Sequence, residues 1–225
     1  LPKSSFLHYL VQDYLFLIHF SRAWALAVTK ADDVAEMRTC AATVDALVND
    51  EISLHIRICA AAGIDEATLF SATEETANLA YTRYVLDAGH SGDFLDLMAA
   101  LAPCVLGYGE IGARLLAAGH DAAYADWIET YGGEDYQQVC RDVGSLIDNA
   151  VLRRMILAGQ IRYGGNHRLG IYERLDCASG KRMKRSTRVF FSGEDAASAA
   201  GFRPCGHCLP DAYRMWRRAA SGIRA

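Results

Sequence analysis

Apolar residues recur at three- and four-residue spacing through most of the first 155 positions, which is the period of one helical face. The period is visible from Phe6 to Ile18 and returns around residues 44–58, 94–106, 111–116 and 139–147. Breaks that contain glycine separate the stretches, at 62–65, 89–92, 119–120 and 132–133. Strand-like alternation is not visible there, so the pattern predicts an all-α bundle of five or six helices of about 12 to 20 residues.

The pattern changes after Gly159, where a turn-rich segment begins. Short runs at 169–172 and 188–191 are typical of strands, and the Ala-rich residues after Asp195 favour a short helix. A last helix is expected around residues 211–220. We therefore predict a helical domain over residues 1–155 and a small α+β domain over residues 160–220.

Composition places the chain among ordinary globular proteins, since its 225 residues are 52% hydrophobic and 22% charged. This balance argues against a disordered or fibrous protein. The net charge of −4 hides an asymmetry. Residues 1–150 carry 8 basic and 22 acidic residues, a balance of −14, whereas residues 151–225 carry 15 and 5, a balance of +10. Such a split suggests two domains with different partners.

The seven cysteines are odd in number and scattered, unlike the dense, even pattern of a secreted disulfide scaffold. They favour a reducing, cytoplasmic location. We find no stretch of the roughly 18 to 20 apolar residues that a membrane helix needs, and no signal peptide. A membrane partner is therefore not expected.

Two residues of the helical part are candidates for chemistry. Asp13 interrupts an apolar, aromatic helix, where it is either paired in the interior or at the helix edge in water. Cys104 follows Pro103, which suits a helix start, and a helix N-terminus favours the thiolate. The alternative is that Cys104 is a small buried hydrophobe. Aromatic residues could form core or a surface for a flat ring, among them Tyr81, Tyr84, Trp127 and Tyr131.

Three stretches carry a resemblance to a known family: 10–20 (LVQDYLFLIHF), 101–112 (LAPCVLGYGEIG) and 127–133 (WIETYGG). Residues 1 to about 150 resemble the TenA/thiaminase II family. The resemblance implies a haem-oxygenase-like helical bundle, usually tetrameric, that needs no cofactor. It also implies an aminopyrimidine or thiamin hydrolase of thiamin salvage. The resemblance further implies that the family's first and last helices are missing from this sequence.

The resemblance also assigns roles by position in these motifs. Cys104 resembles the nucleophile, and Asp13 resembles the acid that holds the edge of the aminopyrimidine. The aromatic counterparts are the ring-stacking residues Phe16 and Tyr81 and the polar partners of the thiol, Tyr108 and Tyr131. The family's last helix carries a Glu that serves as general acid and base. We find no counterpart after Asn149, which implies an impaired or purely binding domain as one outcome.

The tail offers thiolates for a metal. Cys205 and Cys208 have the C-x-x-C spacing of a metal knuckle, and Cys177 stands 28 positions before Cys205. A loop-rich segment of this size needs a bound metal or a similar cross-link to fold. The alternative is a pair of free thiols in a turn.

The tail also resembles the metal-binding domain of Ada-type DNA repair proteins, through 188–191 (RVFF) and 201–208 (GFRPCGHC). The resemblance, over about residues 160–218, implies zinc held by Cys177, Cys205 and Cys208. The family's remaining cysteine falls near Lys181 here, which leaves His207 or His167 as candidates for the fourth ligand. The family's four-thiolate site performs methyl transfer, and the three matching cysteines do not complete that site.

A basic cluster lies in the same segment. Lys181, Arg182, Lys184 and Arg185 suit phosphates, or else form a solvated face. Two functions follow from the sequence. The first is a thiaminase II-like hydrolase that uses Cys104. The alternative is a zinc-binding, DNA-binding or repair-type module, in which the helical domain only binds a ligand or oligomerises.

Overall fold

The computed structural model describes residues 1–119 and 122–222, which divide into two compact units. The first unit comprises Leu1–Ala150 and the second begins at Val151. His120, part of one predicted break, lies outside the described residues. Each unit is described by itself below.

The first unit is helical, as predicted. Its helices are α1 (Lys3–Lys30), α2 (Val34–Ala46), α3 (Ile52–Ala61), α4 (Glu66–Ser71), α5 (Thr76–Ser91), α6 (Phe94–Ala118), α7 (Ala125–Gly132) and α8 (Glu134–Leu157), the last of which continues into the second unit. A π-helical turn, Leu47–Glu51, joins α2 to α3, and a 3₁₀ turn, Ala122–Tyr124, precedes α7.

The predicted number and length of the helices are wrong. The described residues form eight α-helices here, from the 6 residues of α4 to the 28 of α1. The breaks after Lys30 and Ser71 contain neither Gly nor Pro, so a search for those two helix-breaking residue types does not find them. The predicted break at Gly63 is confirmed, because α3 ends at Ala61 and Asp65 caps α4 by accepting from the Thr68 amide.

The core of the first unit forms around α1 and α6. One cluster includes Leu17, Trp24, Leu97, Leu101 and Val143, and a second includes Phe6, Leu10, Cys59, Trp127 and Tyr131. Helix α6 is long and apolar enough to cross a membrane by length and composition, contrary to our expectation. Core helices pass the same test, and α6 buries Leu97 and Leu101 completely.

A close approach between α6 and α7 positions one aromatic residue of the site. A Cβ on Gly112 would lie 2.5 Å from the backbone carbonyl carbon of Tyr131. Only glycine therefore allows α7 to approach α6 so closely. The contact fixes Tyr131, which is fully buried and whose hydroxyl donates to Glu51 of the π turn.

The second unit contains a four-stranded sheet in the order β3-β1-β2-β4, which confirms the predicted α+β class. The strands are β1 (Tyr163–Asn166), β2 (Ile171–Arg174), β3 (Arg188–Phe191) and β4 (Arg203–Pro204), and the helices are α9 (Ala178–Lys181), α10 (Glu194–Ala199) and α11 (Pro210–Gly222). Strand β1 pairs antiparallel with β2 and β3, while β2 and β4 are parallel. This topology brings the end of β2 beside the C-x-x-C segment, where the Cys205 amide donates to the Tyr172 carbonyl at 2.8 Å.

Candidate active site and metal site

The first unit contains a cavity of about 440 Å³, within the range typical of small-molecule sites. Its walls come from α1, α2, the π turn, α3, α6, α7 and α8. Most of its surface is apolar, and a few polar groups converge on it. Four predicted site residues line it, namely Asp13, Phe16, Cys104 and Tyr108.

Asp13 is buried and paired, so the alternative that placed it at the helix edge in water is wrong. Its side chain is 5% exposed. His55 Nε2 lies 2.7 Å from Asp13 Oδ2, and the Tyr9 hydroxyl donates to the same oxygen at 2.7 Å. The Tyr108 hydroxyl donates to Oδ1 at 3.2 Å. These donors offset the cost of burying the carboxylate and fix its orientation.

His55, which our sequence analysis missed, is the charged partner of Asp13. The ring is fully buried, and its Nδ1 lies 2.9 Å from the Glu51 carbonyl oxygen. Since a carbonyl only accepts, Nδ1 carries a proton, while Nε2 donates to the carboxylate. Burial lowers the pKa of His55, but the hydrogen bond and the charge of Asp13 outweigh it, so the pKa is raised. Because both ring nitrogens face acceptors, the hydrogen bonds favour the imidazolium form of His55.

Cys104 lies well inside α6, and Pro103 is an interior helix residue rather than the start of one. The expected lowering of the thiol pKa by a helix N-terminus is therefore wrong. Burial raises the pKa of Cys104, and the charges of Asp13 and Glu51 add to the increase, although the Tyr81 hydrogen bond lowers it. The thiol donates to the Tyr81 hydroxyl at 3.3 Å. Cys104 is thus a neutral thiol in the free protein.

The two predicted ring-stacking residues lie against each other. Phe16 and Tyr81 have ring centroids 6.1 Å apart at 22°. Phe16 lines the cavity, whereas Tyr81 donates its hydroxyl to the Ala100 carbonyl at 3.0 Å and accepts from Cys104. This wall presents a flat aromatic surface beside the thiol.

Glu51 is a second acidic residue that the sequence analysis missed. It ends the π turn and lines the cavity, and the buried Tyr131 hydroxyl donates to its Oε1. Burial raises the pKa of the Glu51 carboxyl, and the negative charge of Asp13 raises it further. Hydrogen bonding by Tyr131 and the charge of His55 oppose that increase. Such π turns are frequent at functional sites.

The metal candidates of the second unit come together. The sulfur atoms of Cys177, Cys205 and Cys208 all lie within 4.8 Å of one another. Thiolates around a tetrahedral zinc ion, with bonds of about 2.3 Å, are separated by about 3.8 Å, so the three sulfurs fit such an ion. The Arg174 amide donates to Cys208 Sγ at 3.4 Å. Three donors leave one tetrahedral position for a further ligand.

The two histidines proposed for that position lie in different surroundings. His207 Nδ1 is 3.9 Å from Cys177 Sγ and 3.5 Å from Ser179 Oγ. His167 Nε2 lies 3.3 Å from the Ser186 carbonyl, a backbone partner.

The basic cluster is exposed. It follows Cys177 through α9 and the 3₁₀ turn Arg185–Thr187, and its side chains face solvent at Lys181, Arg182, Lys184 and Arg185. Four exposed cations so close together are suited to an anionic partner.

Comparison with known proteins identifies both parts. Residues 1–155 match the model of the TENA/THI-4/PQQC family, and residues 148–211 match the metal binding domain of Ada. An uncharacterised protein of Haemophilus influenzae is 44% identical over 146 residues, which cover 63% of this chain and 67% of the relative. A Halalkalibacterium halodurans protein named aminopyrimidine aminohydrolase is 33% identical over 151 residues, 66% of this chain and 67% of the relative.

Solved structures agree with the helical assignment. A TenA family transcription regulator from Silicibacter sp. TM1040 is 61% identical, with a TM-score of 0.67 over 69% of each chain. A TenA homologue from P. horikoshii has a TM-score of 0.61 over 66% of this chain and 71% of that one, and at 22% identity it supports the fold alone. The chain therefore belongs to the TENA/THI-4/PQQC family over residues 1–155 and continues into an Ada-type metal binding domain.

Proposed function

We propose that the helical unit is a thiaminase II-like hydrolase that acts on an aminopyrimidine or on thiamin. The observation that carries the proposal is one cavity lined by both the buried Asp13 carboxylate and the Cys104 thiol. Relatives named aminopyrimidine aminohydrolase support the substrate class. From the family resemblance we also infer a homotetramer, and from the scattered cysteines a cytoplasmic location.

The cavity provides what an aminopyrimidine requires. A fixed carboxylate accepts from the exocyclic amino group, and an aromatic wall contacts the ring face. Asp13 supplies the carboxylate, which His55, Tyr9 and Tyr108 hold in place. Phe16 supplies the aromatic wall. Cys104 is the soft nucleophile for the exocyclic methylene carbon.

Binding tests this proposal before any turnover is measured. We expect 4-amino-5-aminomethyl-2-methylpyrimidine to bind the full chain at one site per protomer in isothermal titration calorimetry. The analogue that lacks the 4-amino group should bind at least about tenfold more weakly, because Asp13 loses its donor. Equal binding of both analogues contradicts the assigned role of Asp13.

For the second unit, we propose a zinc site formed by Cys177, Cys205 and Cys208. Among the described residues of this unit few apolar side chains are buried, Tyr172 and Ala197 among them, so a bound metal would stabilise the fold. Zinc bound by thiolates supplies structural stability. These residues hold it at the junction of β2, α9 and the C-x-x-C segment.

The nucleic-acid function is the second candidate, favoured by the exposed basic cluster in a unit of charge +10. If it is correct, the affinity for a DNA duplex falls steeply between 50 and 200 mM salt, because displaced counterions drive binding. Fluorescence anisotropy measures this directly. Replacing Lys181, Arg182, Lys184 and Arg185 with serine should reduce the slope by up to about 4, whereas no binding at about 50 mM salt contradicts this function.

A further inference from the structure

Hydrolysis at the proposed site needs a group that moves protons, and five carboxyl groups line the cavity. Three of them are exposed, at Asp50, Asp135 and Asp142. Asp13 is committed to its ion pair with His55 at 2.7 Å. Glu51 is the other carboxyl in a shielded position, and its Oε1 accepts from Tyr131.

We propose that Glu51 is the proton-transferring carboxyl of this site, an inference that rests on the proposed hydrolase function. The last family helix, to which the resemblance assigns this task, has no counterpart in the sequence after Asn149. Glu51 reaches the cavity from a different element, the π turn between α2 and α3. Tyr131 holds the carboxyl, which leaves its second oxygen available for the substrate.

The surroundings of Glu51 keep its proton available. The groups that interact with it electrostatically come from five helices: Asp13 (α1), His55 (α3), Cys104 (α6), Tyr131 (α7) and Tyr136 (α8). Burial raises the pKa of Glu51 above its usual value. A neutral carboxyl can therefore donate a proton closer to neutral pH than an exposed Glu can.

The proton transfers balance in two steps. In the first, Cys104 Sγ bonds to the exocyclic methylene carbon as its bond to nitrogen breaks. The leaving amine takes the proton of the Glu51 carboxyl group, and the proton of the Cys104 thiol then passes to the Glu51 carboxylate. In the second, water oxygen bonds to the same carbon as the carbon–sulfur bond breaks. Glu51 takes a proton from the water molecule and gives its own proton to the Cys104 sulfur. The first step thus releases ammonia, and the second releases the hydroxymethyl product.

Glu51→Gln tests this assignment, because it retains size and the acceptor for Tyr131. We expect kcat to fall by about 10²- to 10⁴-fold with little change in pyrimidine binding, as is typical for loss of a general acid–base group. The part of the pH dependence of kcat that comes from titration of the Glu51 carboxyl should disappear as well. Glu134→Gln is the matched control, since that side chain is 82% exposed and should leave kcat unchanged.

The outcomes separate the two proposals. If the unaltered protein neither binds nor hydrolyses the pyrimidine, the hydrolase function fails and this inference fails with it. If it hydrolyses the pyrimidine and Glu51→Gln keeps the same kcat and pH profile, only the role of Glu51 is overturned. Glu51→Asp keeps a carboxyl, so partial recovery of kcat relative to Glu51→Gln supports proton transfer over a packing role.

An independent observation in the second unit concerns the fourth metal ligand. Glu173 on β2 is buried, with 6% exposure, and its carboxyl is hydrogen-bonded to Cys177. The same carboxyl lies over Gly180, where a Cβ would collide with Glu173 Oε1. The amide of the next residue, Arg174, donates to Cys208 Sγ. Glu173 is thus buried at the edge of the three sulfur atoms.

We infer that Glu173, rather than a histidine, completes the metal site as a carboxylate ligand. Carboxylate oxygen is an accepted zinc ligand at about 2.0 to 2.2 Å. His207 is adjacent to Cys208 in the chain, and its Nδ1 faces Ser179 as well as Cys177. Glu173 approaches from a separate strand, which suits the remaining corner of a tetrahedron.

Cobalt substitution of the full chain tests this ligand set. Glu173→Cys should raise the thiolate-to-cobalt charge-transfer intensity per bound ion by about one third, because four thiolates replace three. Glu173→Ala should weaken metal binding in chelator competition by at least about tenfold, with His207→Ala as the comparison. Unchanged intensity in Glu173→Cys, or weakening confined to His207→Ala, overturns the assignment.

Discussion

Replacing Cys104 with serine is expected to reduce kcat for aminopyrimidine hydrolysis by a factor on the order of 10³ or more. Serine keeps nearly the same shape but is a far weaker nucleophile, and the buried site disfavours its alkoxide. Binding of the pyrimidine should change little, because Asp13 and Phe16, which line the cavity, can contact the pyrimidine without the sulfur atom. Rapid-quench kinetics and calorimetry measure the two effects separately.

Cys140→Ser is the matched control for Cys104. Cys140 is also a partly buried thiol, on α8, and its sulfur lies 3.5 Å from the carbonyl oxygen of Val105, the residue that follows Cys104 on α6. Burial raises its pKa as well. If Cys140→Ser loses turnover as fully as Cys104→Ser, or if Cys104→Ser retains it, Cys104 is not the nucleophile.

The second large effect is expected for Asp13→Asn. Removing one partner of a buried ion pair costs about 3–5 kcal/mol of unfolding free energy, because it leaves His55 without its counter-charge. Pyrimidine binding should also weaken, since an amide cannot accept as strongly from the amino group. Urea denaturation followed by far-UV circular dichroism measures the loss of stability, and Asp45→Asn, at an exposed position on α2, is the control.

The pH dependence supplies a second signature of this pair. The pKa of His55 is raised, so its stabilising contribution is complete below its unfolded pKa of about 6.5. That contribution is lost as the pH rises through the folded pKa. In Asp13→Asn this dependence should largely vanish. Equal stability of Asp13→Asn and the unaltered protein at pH 6 contradicts the ion pair.

Helical periodicity was sufficient for the class of the first unit, because each long helix buries one apolar face. It was not sufficient for Pro103, which lies inside α6 although proline usually favours a helix start. There, packing of Leu101 and Val105 in the core maintains the helix through the missing hydrogen bond. Tertiary contacts therefore override the local signal that predicted a low-pKa thiol at Cys104.

The site itself shows what a single sequence conceals. Asp13 was identified through an acid in an apolar helix together with the family resemblance. Its partner His55 lies 42 positions away, and nothing in the local sequence links the two. Glu51 was missed because a π turn aims it inward, and no pattern of apolar spacing predicted that turn. In the tail, Glu173 lies on β2, and the spacing of the three cysteines does not point to it.

Cys104, Asp13 and Glu51 are proposed to form one hydrolytic site. The most direct test is to mix the purified full chain with 4-amino-5-aminomethyl-2-methylpyrimidine and to quantify ammonia and the hydroxymethyl product together. Catalytic release of both in equal amounts, lost in Cys104→Ser and retained in Cys140→Ser, is the predicted result. Release of neither product by a chain that is folded and zinc-loaded would contradict the account.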